Sequence, residues 1–509
     1  MIKIVRKTFI LLFLTAIAFS QVFVKPADIH ESNAFHKPFE TLIKTSRPSR
    51  TNQYLTPGGH FIIHYDNSGF NEVPQDYTYN DSIPDFVYKA AEYLDASYDT
   101  LRALGFDAPP IDNIESPEID IYFRYDRSYY GVTYPENNQS DGSWTSYLTL
   151  STQLEDSTVF YTYGLEGLRV TCAHELFHIF QLGYKYRSQD IFYFEMSSVW
   201  FEEYMYPEVN DYHAYVNEYA QDWNYAINHS ALDYDNAGFN LYINKRFSRP
   251  GNNIIHSIWD RILFTDALSS IRNELEYRGI AFENALRDWG TAQVLCDIYS
   301  ADNFQYPFND AEELNTISFQ NNTSNILTTL SADFTAAHDP MTTYFKITGT
   351  PGQIMLFETM LDEGTSANLI CLSNSESEVR RIGNDPMIID GRNFSEYILV
   401  LGSDAVNAGG SYAFTAIEAD EMASVYPNPL PPGQALNISY VLLENNQEGI
   451  ISIYDLKGRK VFSRNLGASL LTAGLHEISF IPTELTSGIY IAALHLDGSI
   501  VADKFTFIK

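Results

Sequence analysis

The sequence predicts an α+β protein: a mixed helical and stranded domain over residues 56–320, followed by two all-β sandwiches at 321–419 and 422–509. Three observations lead there. Apolar residues recur at helical spacing through much of the first region, interrupted by a few alternating β-runs. Beyond about residue 320 the chain becomes a series of short β-runs separated by Gly, Asn, Asp and Ser, the rhythm of a sandwich. VYPNPLPPG, starting at Val425, then marks a proline-rich boundary before more strand–turn–strand sequence.

At the N-terminus, Lys3, Arg6 and Lys7 precede an apolar run from Phe9 to Phe19, and Ala18-Phe19-Ser20 offers small residues for cleavage. That is the layout of a secretory signal peptide, residues 1–20, too short and wrongly flanked for a spanning helix. The mature chain is expected outside the cytoplasm with no transmembrane anchor. Residues 21–55, with a basic patch from Lys44 to Arg50, read as a lead-in or short propeptide. GGHFIIHY, Gly58 to Tyr65, alternates like a strand. Its His60 and His64 are four apart, which on a strand gives no shared-metal geometry, so both are expected to be structural. Pro84 to Phe106 reads as a helix with Val87, Ala90, Ala91, Leu94, Tyr98, Leu101 and Leu104 at helical spacing. EIDIYFRY (118–125) and TSYLTLST (145–152) read as strands.

The chemistry concentrates in VTCAHELFHIFQLGYKY, where His174-Glu175-Leu176-Phe177-His178 reads HExxH. On a helix, residues four apart lie one above the other, so both imidazoles can reach one metal ion. Glu175 points beside the pair, where a carboxylate can take a proton from metal-bound water. A catalytic zinc site has three protein ligands and an open position, so two histidines are not enough. The bland alternative is a pair of core histidines. Against it, Leu168, Val170, Cys172, Ala173, Leu176, Phe177, Ile179 and Phe180 make the helix apolar nearly all round. Burying two imidazoles and a carboxylate there without a partner is costly. After a polar turn, FYFEMSSVWFEEYMYP forms a second helix stopped by Pro207. Glu195, seventeen positions beyond His178 and in apolar surroundings, is the expected third ligand. Ser197 and Ser198 are small enough for the helices to approach closely. Glu202, two turns further along the same face, is the competitor, or else a carboxylate that orients a ligand histidine.

HExxH followed by a glutamate on a second helix resembles the gluzincin class of zinc peptidases. More closely, VTCAHELFHIFQLGY with FEMSSVWFEEYMYPEVNDY resembles a family of secreted bacterial metalloproteases. The resemblance implies a zincin-like metallopeptidase domain, Zn2+ held by His174, His178 and Glu195, and Glu175 as general base. The chain departs from the family pattern at Met196 and Ser198, where Gly and Ala are usual, and at Val199, where many gluzincins keep Asp. A metzincin would need Gly at 181 and His at 184, and the chain has Gln181 and Tyr184. Zinc peptidases generally pair an extended substrate with an edge strand. By resemblance the Thr145–Thr152 segment takes that part, with an interior place in the sheet as the alternative.

From Asp211 to about Glu313 the chain is mainly helical. Segments 253–268 and 279–290 are expected to form the lower, helical half of the cleft. His256 is expected to be a core or surface histidine, with oxyanion stabilisation as the alternative. The 321–419 sandwich carries no catalytic constellation and fits an accessory module or a spacer. The last stretch resembles the C-terminal sorting domain of the type IX secretion system of Bacteroidetes and relatives. The features that carry this are Tyr426-Pro427-Asn428-Pro429, Ile453-Tyr454-Asp455 with Gly458, Ser487-Gly488-Ile489-Tyr490 and the terminal Lys504-Phe505 strand. The resemblance implies export through the periplasm to the cell surface or medium, with the type IX machinery as a partner.

A net charge of −33 makes a poor nucleic-acid binder. The 36 Tyr and 33 Phe lack interleaved Lys and Arg and read as packing rather than base stacking. Cys172, Cys296 and Cys371 are scattered and odd in number, so no disulfide framework is expected, with a single pair as the alternative. The expected function is that of a secreted zinc endopeptidase acting on a protein or peptide substrate. The alternative is an exported, catalytically idle adhesion or binding protein that keeps the fold, and a zinc hydrolase of non-peptide substrates is a third. Glu175 favours an enzyme, since a purely structural zinc needs no base.

Overall fold

The computed structural model describes residues 23–26 and 47–509, apart from short stretches of which 230–233 and 303–309 are the longest. The signal-peptide expectation for residues 1–20 lies outside the described residues. There are two compact units, Met1–Val216 with Asn228–Glu274, and Asn217–Ile227 with Leu275–Lys509.

In chain order the first unit has β1 (Phe23–Pro26), β2 (Asn52–Leu55), β3 (Phe61–Tyr65), α1 (Asp85–Leu104), β4 (Ile119–Arg124), β5 (Tyr129–Asn138) and β6 (Trp144–Ser151). The helices α2 (Gly164–Tyr184), α3 (Ile191–Met205), α4 (His213–Gln221), α5 (Ala237–Phe247), α6 (Ile254–Ile262) and α7 (Ala267–Tyr277) follow, with α4 and α7 crossing into the second unit. The six strands form one sheet in the order β1-β5-β6-β4-β3-β2. β3, β4 and β6 run parallel, and β2 and β5 run antiparallel to them.

The local causes are plain. α1 buries Val87, Ala90, Ala91, Leu94 and Leu101 and stops at Gly105, whose φ of 108° suits only glycine. Phe86 of α1 meets Phe123 of β4 on one face of the sheet. The other face is polar and aromatic. There His64 Nε2 lies 2.6 Å from Asp120 and its ring stacks on Tyr122. His60 stacks instead on Tyr98 of α1, so the two histidines have separate structural partners.

The expected 145–152 strand is present as β6, but it is interior, between β5 and β4. That corrects its assignment as the edge strand. On that side β5, which a tight turn with Gly142 at φ 90° folds back onto β6, lies between β6 and the outermost strand, β1. Trp259 of α6 packs on Phe177 and Tyr184 of α2 and on Tyr193 and Phe194 of α3, so that helix lies behind the HExxH pair.

In the second unit α8 (Phe282–Val294) lies across a five-stranded sheet that faces a four-stranded one. Their shared core contains Ile347, Phe357, Leu369, Leu399 and Phe414. Segment 279–290 therefore does not line a cleft in the first unit, contrary to expectation. Gly290 presses so closely on the sheet that an added Cβ would lie 3.0 Å from Val400, and Asn368 donates to Thr291 at 2.9 Å. A three-stranded and a four-stranded sheet then enclose a separate core with Ile438, Tyr440, Ile451, Ile453 and Phe505. The whole is mixed α+β with several sandwich-like sheets. Among the described residues no helix is long and apolar enough to cross a membrane. The three cysteines are buried thiols.

Candidate metal centre

His174 and His178 occupy successive turns of α2, and Glu195 faces them from α3. One ring nitrogen of each histidine and one oxygen of Glu195 lie within 4.8 Å of one another, with all three residues buried. Glu195 Oε2 is 3.3 Å from Nε2 of both rings, and the two Nε2 atoms are 3.0 Å apart.

The far sides of the rings decide the chemistry. His174 Nδ1 donates to Glu202 Oε1 at 2.5 Å, and His178 Nδ1 donates to Gln181 Oε1 at 2.7 Å. Both partners are acceptors, so each ring keeps its proton on Nδ1 and turns an Nε2 lone pair inward. Two such lone pairs and a carboxylate converge in the buried interior. They repel one another unless a positive charge lies between them. With no proton on either Nε2, Glu195 Oε2 is left without a hydrogen-bond partner, as is the buried Glu175 Oε1. Two imidazoles and one carboxylate are the donor set of a catalytic zinc site, and the residues present fit that ion. A proton on an imidazole is a relief the protein itself can supply. Burial opposes it, yet hydrogen bonds with Glu195 and Glu202 hold the His174 imidazole up at about 9. Burial would likewise raise Glu195, but the charge of His178 and hydrogen bonds from both rings bring it down to about 2.

One departure from the family pattern, Ser198, is accounted for here. Gln181 Nε2 donates to Phe194 O at 3.0 Å and to Ser198 Oγ at 3.2 Å, so its amide ties α2 to α3 while it orients His178. Ser197 and Ser198 are fully buried between the helices.

Glu175 lies where β5 crosses α2. Thr133 Oγ1 donates to its Oε2 at 2.6 Å. Gly131 leaves the room: a Cβ there would sit 2.7 Å from Glu175 Cγ. Burial pushes the Glu175 carboxyl up, against the pull of His178 and His174. Tyr234, partly exposed, lies nearly parallel to His174 at 5.8 Å, and its hydroxyl is hydrogen-bonded to Glu195.

His174, His178, Glu175 and Glu195 are thus brought together, and Glu202 stands behind His174 rather than among the inward-facing atoms. His256 is not brought in. Its ring meets Phe106 at 5.0 Å and Asp260 at 3.5 Å. Cys172 is buried, and burial pushes its thiol up. Sequence reasoning missed Gly131, Thr133 and Tyr234. Strand β5 carries Gly131 and Pro135, which disguise it, and Tyr234 lies far along the chain with no spacing to announce it.

A family described as one of unknown function (DUF6055) matches residues 59–333, and a secretion system C-terminal sorting domain matches residues 424–508. No curated protein matches the chain. Among solved structures, a GH2 β-galacturonidase from Eisenbergiella tayi is 13% identical over 33% of this chain and 34% of its own, with a TM-score of 0.20. This chain therefore spans about a third of that enzyme's length. CopC from Methylosinus trichosporium OB3b is 18% identical over 17% of this chain and 90% of its own, with a TM-score of 0.13. PliG from Aeromonas hydrophila, a periplasmic inhibitor of g-type lysozyme, is 12% identical over 19% and 96%, with a TM-score of 0.15. Similarity that low bears on neither fold nor function. The sorting domain does decide a destination: the chain engages the type IX secretion machinery and is a secreted or cell-surface protein.

Proposed function

The chain belongs to the DUF6055 family, of unknown function, whose match spans more than half its length, and we propose that it is a secreted zinc-dependent endopeptidase with a zincin-like first unit. The observation that carries this reading is the inward convergence of His174, His178 and Glu195, with the unpartnered Glu175 oxygen beside them. The sheet supports it as well. Parallel β3, β4 and β6 precede the helix bearing both histidines, and antiparallel β5 lies along that helix.

Zinc held by the three ligands would supply a Lewis acid for the scissile carbonyl and lower the pKa of a water to about 7. The protein's own groups do the rest. Thr133 fixes Oε2 of Glu175, which leaves Oε1 to accept the proton of the attacking water. Burial favours the neutral acid, which helps Glu175 take that proton, and the more basic leaving amine nitrogen then receives it. Glu202 and Gln181 hold the imidazoles in one tautomer, and Tyr234 holds Glu195.

The test is to count zinc on the purified chain and to assay cleavage of an unstructured protein with and without a chelator. Cleavage is expected to disappear with the chelator and return with added zinc. Glu175→Gln is expected to keep the metal and lose at least about 10²–10⁴-fold in rate. Full zinc with undiminished cleavage would remove Glu175 from its role. Zinc without cleavage in every form of the wild-type chain leaves the idle binding protein as the answer.

A further inference from the structure

The outer side of β5 is where the metal centre meets the margin of the sheet, and it is covered. β1 pairs with it antiparallel, with Phe23 opposite Thr133, Val24 opposite Val132, Lys25 opposite Gly131 and Pro26 opposite Tyr129. Thr133 and Gly131 are the two β5 residues that touch or crowd Glu175. β1 also runs beside α2, the helix that carries the histidines. The backbone of residues 23–25 therefore lies on the path an extended polypeptide takes when it adds a strand to β5 next to Glu175.

We propose that residues 23–26 are a built-in occupant of this edge, an autoinhibitory strand that keeps polypeptides off β5 until it is displaced or removed. A second, independent observation fastens the segment. Arg47 contacts the carboxylates of Asp112, Asp120 and Glu136, its Nε 2.8 Å from Glu136, and only 11% of its side chain is exposed. Arg50 adds a hydrogen bond from Nε to Phe123 O at 2.6 Å. A guanidinium shared among carboxylates is a strong anchor. It holds the chain at residue 47, and residues 27–46 join β1 to it. A strand tethered over such a distance acts at an effective concentration in about the millimolar range. The pairing itself is short. It spans four residues, its register slips between Lys25 and Pro26, and Pro26 has no N–H to give. So short a pairing is weak alone and readily displaced.

The occupancy can be tested without any activity; only its inhibitory meaning rests on the peptidase reading. Chain 21–509 is compared with its Val24→Pro/Lys25→Pro variant and with chain 47–509. Two adjacent prolines remove whichever N–H faces β5. Hydrogen exchange of the 130–134 amides is expected to be roughly tenfold faster in both altered chains. Excess synthetic peptide of residues 21–28 is expected to restore their protection. With zinc, hydrolysis of an unstructured polypeptide is expected to rise about tenfold in both, and the same peptide to inhibit it competitively. A melting curve of the double-proline variant like that of the parent shows that faster exchange is local. Equal exchange in all three chains overturns the occupancy. Faster exchange with equal hydrolysis overturns the inhibitory role. The expected exchange with zinc bound and no hydrolysis in any chain upholds the occupancy and overturns the peptidase reading instead.

Discussion

Glu195 and Glu202 lie seven residues apart on one helix, yet they have opposite tasks. Glu195 faces both Nε2 atoms at 3.3 Å, whereas Glu202 accepts a hydrogen bond from Nδ1 of His174 at 2.5 Å from behind. Removing them should therefore have different effects. Glu195→Ala is expected to abolish zinc binding. Glu202→Ala is expected to keep the metal and weaken it about 10–100-fold, the usual result of removing a carboxylate that orients a ligand histidine. It should also leave the buried Nδ1–H unpaired, at a cost of about 1–3 kcal/mol. Competition with a chromophoric chelator and thermal melting measure the two effects. Equal loss of zinc in both variants would mean that the ligand and its support have been confused.

At the scale of elements, the closeness of β5 to α2 is the condition for everything Glu175 does. Gly131 is what permits it. Gly131→Ala would put a methyl group 2.7 Å from Glu175 Cγ and 2.9 Å from Thr171 Cγ2, so strand and helix must separate. Overpacking of this kind costs about 1–3 kcal/mol. The expected outcome is a lower melting temperature and a sharp loss of hydrolysis with zinc content unchanged. A variant that cleaves like the parent would show that β5 plays no part in setting the base. The HExxH helix itself was legible because its apolar residues surround the two histidines and make burial certain. β5 was not, because a strand interrupted by Gly131 and Pro135 looks like a loop until β6 is seen beside it.

For the whole molecule, the C-terminal sandwich has its own core, from Val425 through Leu436 and Ile451 to Phe507, and its own task in export. Deleting residues 424–508 is expected to strand the chain in the periplasm while its zinc content stays at the parent level. Cell fractionation with immunoblotting, followed by metal analysis of the retained protein, checks this. Secretion without the tail would mean that another segment carries the address. The three thiols suit an exported protein in one respect, since each is buried.

Helical period alone aligned His174 with His178, and apolar context alone singled out Glu195, because both are properties of a few neighbouring residues. The sorting domain was legible for a similar reason: Tyr426 to Pro429 and Ser487 to Tyr490 are local signatures. No local property says which strand lies across a helix, so β6, expected at the edge, proves interior, and β5 with β1 outside it forms that margin of the sheet. Nor could spacing divide the roles of Glu195 and Glu202, bring Tyr234 to His174, or send α8 to the second unit. Those outcomes depend on contacts between residues far apart in the chain, where close packing and the pairing of buried polar atoms choose among arrangements that local periodicity leaves equivalent.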